Sequence, residues 1–448
     1  MAVIGVVADD FTGTASSGVL VAKSDARTGL FFDAEALRKF ENADRLDAVY
    51  VSSNSRHMIP EQAYNIVRQT TKELKKMGIK YYSKKIDTTL RGGIGYEIDA
   101  MLEELGEDTI AVVVTAMPQS NRICVGGYSI IDGVLLTETP VAQDVKTPVK
   151  ECYVPSLIGE QTKYQTELIN LRDLLKGEAV LKEKLQKAKE NGSRVIIVDA
   201  MTMENVDVIA KCCVELNWNV LAVDPGPFTM KLAYHRKLIG TNRERTYEKV
   251  EEDSKKTALL VVGSANPSTR VQIDRLCMSG KENVKVSVSP VKLIDGEVSA
   301  KEEIETVYKK ITELFSGEKN PRSIIIETAL HGSVVNLEEE DQKHGYRPGT
   351  SSELINKGLA EITEMILANI GQERIAGLLL TGGDTMECVC RRIGVACIQA
   401  TDNIVAQVDV GRIIGKYDNL PLIVKGGFCG YDDVAVDIVE RLFIEAAQ

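Results

Sequence analysis

Short apolar runs rich in Val and Ile recur along the chain, each closed by a Gly or Asp turn and followed by apolar residues at helical spacing. Val3–Ala8 runs into Asp9, Asp10, Phe11, Thr12 and Gly13. Tyr81–Ile86 runs into Asp87, Thr88, Thr89, Leu90, Arg91, Gly92 and Gly93, then the helix-like IGYEIDAMLEEL. Ile110–Val114, Val195–Val198 and Val220–Val223 end in comparable turns. Continuous apolar strands alternating with helices predict parallel sheets covered on both faces. Ligands of such sheets sit outside the carboxyl ends of the strands, which is where the Asp, Arg and Gly residues collect.

The pattern breaks at residues 242–256, NRERTYEKVEEDSKK, where thirteen of fifteen residues are charged, Asn, Ser or Thr. This reads as a solvated linker between two domains. Beyond it the alternation restarts. Ala258–Val262 leads to Gly263, Ser264, Ala265, Asn266, Pro267 and Ser268. Gly377–Leu380 leads to Thr381, Gly382, Gly383, Asp384 and Thr385, and Leu422–Val424 to Lys425, Gly426, Gly427 and Phe428. Between them, Pro348–Gly371 reads as a loop and an amphipathic helix opened by Ser capping candidates. The predicted fold class is therefore α/β, in two domains, each a mainly parallel β-sheet flanked by helices.

Composition narrows the function. The 448 residues are 44% hydrophobic and 27% charged, ordinary globular usage. A net charge of −11 argues against nucleic acid as a partner, because phosphate neutralisation needs clustered Lys and Arg. Small anions need only a local cationic pocket. No stretch approaches the roughly 18 apolar residues of a membrane span. Nine scattered cysteines and a strand-like start at Met1 suggest a reducing compartment, no signal peptide and a cytoplasmic location.

Three strand-to-turn sites in the second half suit a phosphate. Small residues let the backbone approach an anion, and amides at a following helix start donate to it. A lone Gly pair after a strand is usually a plain turn; three at successive strand ends would line one crevice. The usual signatures are absent: Gly411–Gly415 with Lys416 falls one residue short of G-x-x-x-x-G-K and ends in Tyr417, and no G-x-G-x-x-G follows a strand. The first half offers a polar site. Lys84, Lys85, Asp87 and Arg91 surround one strand end, Asp9 and Asp10 another, and Arg56 with His57 follow DAVYV. Arg grips carboxylates in two-pronged fashion, and an Asp can accept a proton from an alcohol. The competing reading is that these charges neutralise one another. Cys388, Cys390 and Cys397 read as buried thiols rather than metal ligands, and His235, His331 and His344 as structural or surface residues.

ADDFTGT at 8–14, SRH at 55–57, KKIDTTLRGGIG at 84–95, MPQSNRICVGGY at 117–128, VVGSANPSTRVQ at 261–272, TGGDT at 381–385 and KGGFCG at 425–430 together resemble the four-carbon acid sugar kinase family. The resemblance implies an acid-sugar-binding domain at 1–245, a nucleotide-binding domain at 255–448, and an active site in the cleft between them. It implies ATP-dependent phosphorylation of the C4 hydroxyl of D-threonate, D-erythronate or 3-oxo-tetronate, with ATP and Mg²⁺ required. Carried over by motif, Asp9, Asp10, Arg56, Lys85, Asp87 and Arg91 would bind the acid sugar. Ser264, Gly382, Gly383, Asp384, Thr385, Gly426 and Gly427 would bind the nucleotide. Asp384, Asp10 and Asp87 are the candidates for general base. The expected partners are the two small molecules, and a homodimer is compatible with the chain. Two rivals stay open, a nicotinamide-dependent sugar-acid dehydrogenase and a non-catalytic acid-sugar sensor.

Overall fold

The computed structural model describes residues 2–144, 147–241, 245–280, 282–317, 319–330 and 334–448. The chain forms two compact units, Met1–Glu244 and Arg245–Gln448. Each is an α/β unit around a mainly parallel sheet.

In the first unit the strands are β1 (Ile4–Ala8), β2 (Thr28–Phe31), β3 (Ala48–Ser52), β4 (Tyr81–Lys85), β5 (Thr109–Val113), β6 (Arg122–Val125), β7 (Tyr128–Ile131), β8 (Val134–Leu135), β9 (Thr166–Ile169), β10 (Val195–Val198) and β11 (Asn219–Asp224). The main sheet runs β2-β3-β1-β4-β11-β5-β10-β9, with every neighbouring pair parallel. The alternation of strand and helix in the sequence requires this arrangement, since each parallel return needs a crossover. After β1 the chain builds β2 and β3 on one side, then crosses to place β4 on the other. That reversal opens a crevice outside the carboxyl end of β1.

Burial follows the apolar runs. Ile110, Val112, Ile196, Val198, Ile209 and Phe228 form one core between the sheet and its helices, and each such side chain contributes about 1.5–3 kcal/mol. The MPQSNRICVGGY segment leaves this layer as an antiparallel β6-β7-β8 hairpin sheet. The buried Asp199 carboxylate anchors it by accepting the N–H groups of Gly126 (2.6 Å), Gly127 (2.9 Å) and Leu171 (2.9 Å).

The second unit contains β12 (Thr257–Val262), β13 (Asn283–Ser287), β14 (Ser323–Glu327), β15 (Ile375–Thr381), β16 (Val395–Val405), β17 (Val408–Gly415) and β18 (Pro421–Lys425). Their order is β13-β14-β12-β15-β18-β17-β16, parallel as far as β18 and closed by the antiparallel β17 and β16. The helix predicted after Pro348 spans Thr350–Ile370, but no Ser caps it. Its N-cap is Gly349 at φ +91°, and Asp341 reaches in to accept the N–H groups of Gly349 (2.6 Å) and Ser351 (2.7 Å). A carboxylate accepts two amides at a positive helix end where one hydroxyl would accept one.

Part of the predicted linker, 242–244, lies outside the described residues, and 245–256 carry no helix or strand. They are not a free tether. The Arg441 guanidinium lies 3.3 Å from the Tyr247 ring centroid, the Tyr247 hydroxyl donates to Asp402 at 2.7 Å, and Glu252 holds Arg322 at 2.6 Å. The polar composition that reads as solvation supplies ion pairs to the second unit's surface. His235 and His344 also have partners, Asp207 at 3.2 Å and Asp295 at 3.1 Å, while His331 lies outside the described residues. Cys212 and Cys213 are core residues, and Cys390 and Cys397 are buried. No helix among the described residues is long and apolar enough to cross a membrane.

Candidate active site

The order β3-β1-β4 brings three distant sequence segments to one edge. Ala8 is in register with Ser52 on one side and Lys85 on the other, so the residues following each emerge side by side. Asp10 also caps the helix Phe11–Ala22, accepting the Gly13 N–H at 2.7 Å. Arg56 enters from the loop after β3 with its side chain only 9% exposed. It contacts three carboxylates: Asp9 at 2.7 Å through Nε, Asp10 at 2.6 Å through Nη1, and Asp87 at 3.6 Å through Nη2. Lys85 adds a second cation, 3.4 Å from Asp9 and 3.8 Å from Asp10.

Burial pushes the carboxyl groups of Asp9 and Asp87 toward the protonated form, but the neighbouring cations outweigh it. Arg56 and Lys85 hold Asp9 far below the usual carboxylate range, and Arg56 with Arg91 does the same for Asp87. The close approach depends on Gly13. A Cβ there would stand 1.9 Å from Lys85 Nζ, so any side chain would expel the lysine.

Three expectations about this edge change. Arg56 is not a free clamp for a substrate carboxylate, because three aspartates already occupy its guanidinium. Asp87 is a poor proton acceptor, since both its oxygens face guanidinium groups. Lys84 is not at the site. Consecutive strand residues point to opposite faces, and Lys84 is fully buried on the other face, paired with Glu97 at 2.8 Å. The more exposed of the two arginines is Arg91, whose side chain is 23% exposed against 9% for Arg56. It holds Asp87 at 2.6 Å through Nε and Asp144 at 3.2 Å through Nη1. Asp144 lies too far from any motif to be found by spacing, whereas Gly13 stands in plain view within ADDFTGT.

In the second unit the order β12-β15-β18 does the same work. Val262, Thr381 and Lys425 are in register, so the turns after them share one edge. Two helices start there, Pro267–Ser279, capped by Asn266, and Gly383–Arg392, whose N-cap is Gly382 at φ +98°. First-turn amides of a helix have no intrahelical acceptor and carry the positive end of its dipole. Gly383 and Asp384 are exposed at this start. The Thr385 hydroxyl turns inward to donate to Asn356 at 2.7 Å, so that side chain is structural. The Gly427 carbonyl accepts from Thr269 at 2.9 Å. A Cβ on Gly263 would lie 1.9 Å from Thr385 Oγ1 and 2.9 Å from its Cβ, so only Gly lets these two turns meet. Among the described residues there is no cluster of three or more metal-ligating side chains.

The first unit thus gathers carboxylates, guanidinium groups and an ammonium at one edge, and the second gathers glycine turns and two helix starts at another. A family model described as a sugar-binding N-terminal domain matches residues 4–232, and one described as a nucleotide-binding C-terminal domain matches 259–435. The chain belongs to the four-carbon acid sugar kinase family. It is 33% identical over 443 residues to a D-erythronate kinase of Heliobacterium modesticaldum, covering 99% of this chain and 97% of that one. It is 28% identical to a D-threonate kinase of Salmonella typhimurium, covering 96% of each. The crystal structure of a Haemophilus influenzae protein shares the fold, with a TM-score of 0.74 at 22% identity, over 98% of this chain and 100% of the other.

Removing Arg56 leaves three carboxylates without their main counter-charge. Arg56→Met is expected to destabilise the first unit by about 3–5 kcal/mol, read by denaturant unfolding. Because the folded Asp9 and Asp87 lie below their unfolded values, their stabilisation is complete above the unfolded carboxylate range. It is lost as pH falls below about 4. The melting temperature of the wild type is expected to drop steeply there, and less steeply in Asp87→Asn.

Proposed function

We propose that the protein transfers the γ-phosphoryl group of ATP to the C4 hydroxyl of a four-carbon sugar acid such as D-erythronate, D-threonate or 3-oxo-tetronate. The observation that carries this reading is the matched architecture of the two edges. In each unit three adjacent strand ends converge, in one on carboxylates and guanidinium groups, in the other on glycine turns and helix starts.

The acid sugar binds the first unit. Its carboxylate pairs with Arg91 Nη1 in place of Asp144, and its hydroxyls donate to the aspartates paired with Arg56 and Lys85. Among Asp9, Asp10 and Asp87, Asp10 has the most accessible side chain, 25% exposed against 4% and 8%. Arg56 takes its Oδ2, but its Oδ1 meets the Gly13 N–H at 2.7 Å and Lys85 only at 3.8 Å rather than a guanidinium, and it serves as the proton acceptor. The polyphosphate lies on the amides of Gly383–Thr385, the Gly382 N–H being donated to the Lys425 carbonyl at 3.4 Å, and beside Ser264, Gly426 and Gly427. Mg²⁺ arriving with ATP needs one or two carboxylates besides phosphate oxygens. Asp384 fits, being exposed at the helix start and in no ion pair among the described residues. The ion supplies neutralisation of phosphate charge. We read Asp384 as a metal ligand in preference to a general base.

In the transfer step the bond between the γ-phosphorus and the ADP oxygen breaks as a bond from the C4 oxygen forms. The alcohol proton passes to Asp10. Positioning and charge neutralisation supply most of the rate.

ADP release is the test, measured with ATP and a panel of the three acids and their stereoisomers. Turnover with none of them, or equal turnover without any acid, overturns the reading. Arg91→Ala is expected to raise KM for the acid roughly 30- to 150-fold, the worth of one charge-assisted pair of about 2–3 kcal/mol, with KM for ATP within about twofold of wild type. Gly263→Ala, which drives Thr385 out of the cradle, is expected to show the reverse: weakened ATP binding in calorimetry and an unchanged Kd for the acid.

A further inference from the structure

The cradle also holds a buried cation. Lys425 ends β18 and is 5% exposed. Its ammonium curls under the following turn and donates to the Gly426 carbonyl at 2.9 Å and the Gly427 carbonyl at 3.4 Å. Among the described residues no carboxylate lies within 4 Å of it. Other buried ammonium groups of this protein are paired: Lys84 with Glu97, and Lys85 with Asp9. A buried charge without a counter-ion is costly, and it persists where an anion is to arrive. Burial brings the Lys425 ammonium down to about 8, as expected of a cation lacking a carboxylate. Beside it, in register on the adjacent strand, Thr381 has a hydroxyl that is buried and without a partner.

We propose that Lys425 is the phosphate-binding cation of the cradle, held by the two glycine carbonyls so that its charge lies beneath the nucleotide polyphosphate. The inference rests on the nucleotide reading of this unit and adds a side-chain charge to a site otherwise built from main-chain amides. It also accounts for the turn. The carbonyls of Gly426 and Gly427 point inward to Lys425 and Thr269, and the Gly426 N–H donates to the Gln407 carbonyl at 3.3 Å, which leaves the N–H groups of Gly427 and Phe428 for a ligand.

Lys425→Gln separates charge from shape, because an amide can still donate to Gly426. Calorimetric titration of the full chain with Mg-ATP, ADP and AMP is the experiment, with the melting temperature and acid-sugar binding as controls for folding. The expected loss grows with phosphate count: within about twofold for AMP, about tenfold for ADP, and about 30-fold or more for ATP, in line with the worth of a buried charged contact. Lys425→Arg is expected to recover ATP affinity to within about tenfold. An equal loss for all three nucleotides would reduce Lys425 to a shaper of the turn, and unchanged ATP affinity would remove it from the site. If the Gln variant does not fold, the Arg variant decides: ATP and AMP weakened alike overturns the proposal. Wild-type protein that binds no ATP and releases no ADP sinks the kinase reading and this proposal together. Wild-type turnover with losses independent of phosphate number sinks only the role of Lys425.

Discussion

One buried guanidinium organises the first unit's functional edge. Arg56 is the common counter-charge of Asp9, Asp10 and Asp87, which arrive from two other strand ends. Without it, the buried Asp9 and Asp87 would lose the cation that does most to keep them ionised. Ionised carboxylates are strong acceptors for sugar hydroxyls, and this is the basis of the acid-sugar site proposed for this edge. The loop after β3, the cap of the first helix and the tip of β4 are tied together by this single residue.

The second unit solves the opposite electrostatic problem by different means. Glycine turns and two helix starts bring main-chain N–H groups and the positive ends of helix dipoles to one edge, the basis of the phosphate site proposed there. Gly263 and Gly382 matter because the turns must approach one another more closely than a Cβ permits or adopt a left-handed backbone. Lys425, unmatched by any carboxylate among the described residues, leaves a positive group in the floor of that cradle. The first unit thus pairs its buried cations with carboxylates, while the buried Lys425 of the second is held by main-chain carbonyls.

Most of the architecture was legible along the chain because buried parallel strands are written as unbroken apolar runs and their ligand-facing ends as Asp, Arg and Gly. The motif residues on β1, β3 and β4, and those on β12, β15 and β18, were all identifiable. Roles were harder to read than positions. Arg56 and Arg91 look alike in sequence, yet one is sealed among aspartates and the other is more exposed. Lys84 and Lys85 are neighbours, and the pleat sends one into the core with Glu97 and the other to the site. Asp144 has no local pattern to announce it, since it meets Arg91 only because a distant loop folds back.

Hydrophobic periodicity and turn chemistry are local properties, and they determine on their own that this chain makes two α/β units with polar residues at the strand ends. Which strands lie side by side is not local. The orders β3-β1-β4 and β12-β15-β18 decide which turns become neighbours, and with them which cation meets which carboxylate and which is left unpaired. Coulombic and packing terms depend on distances of a few ångströms between residues tens of positions apart, and only the folded sheets set those distances.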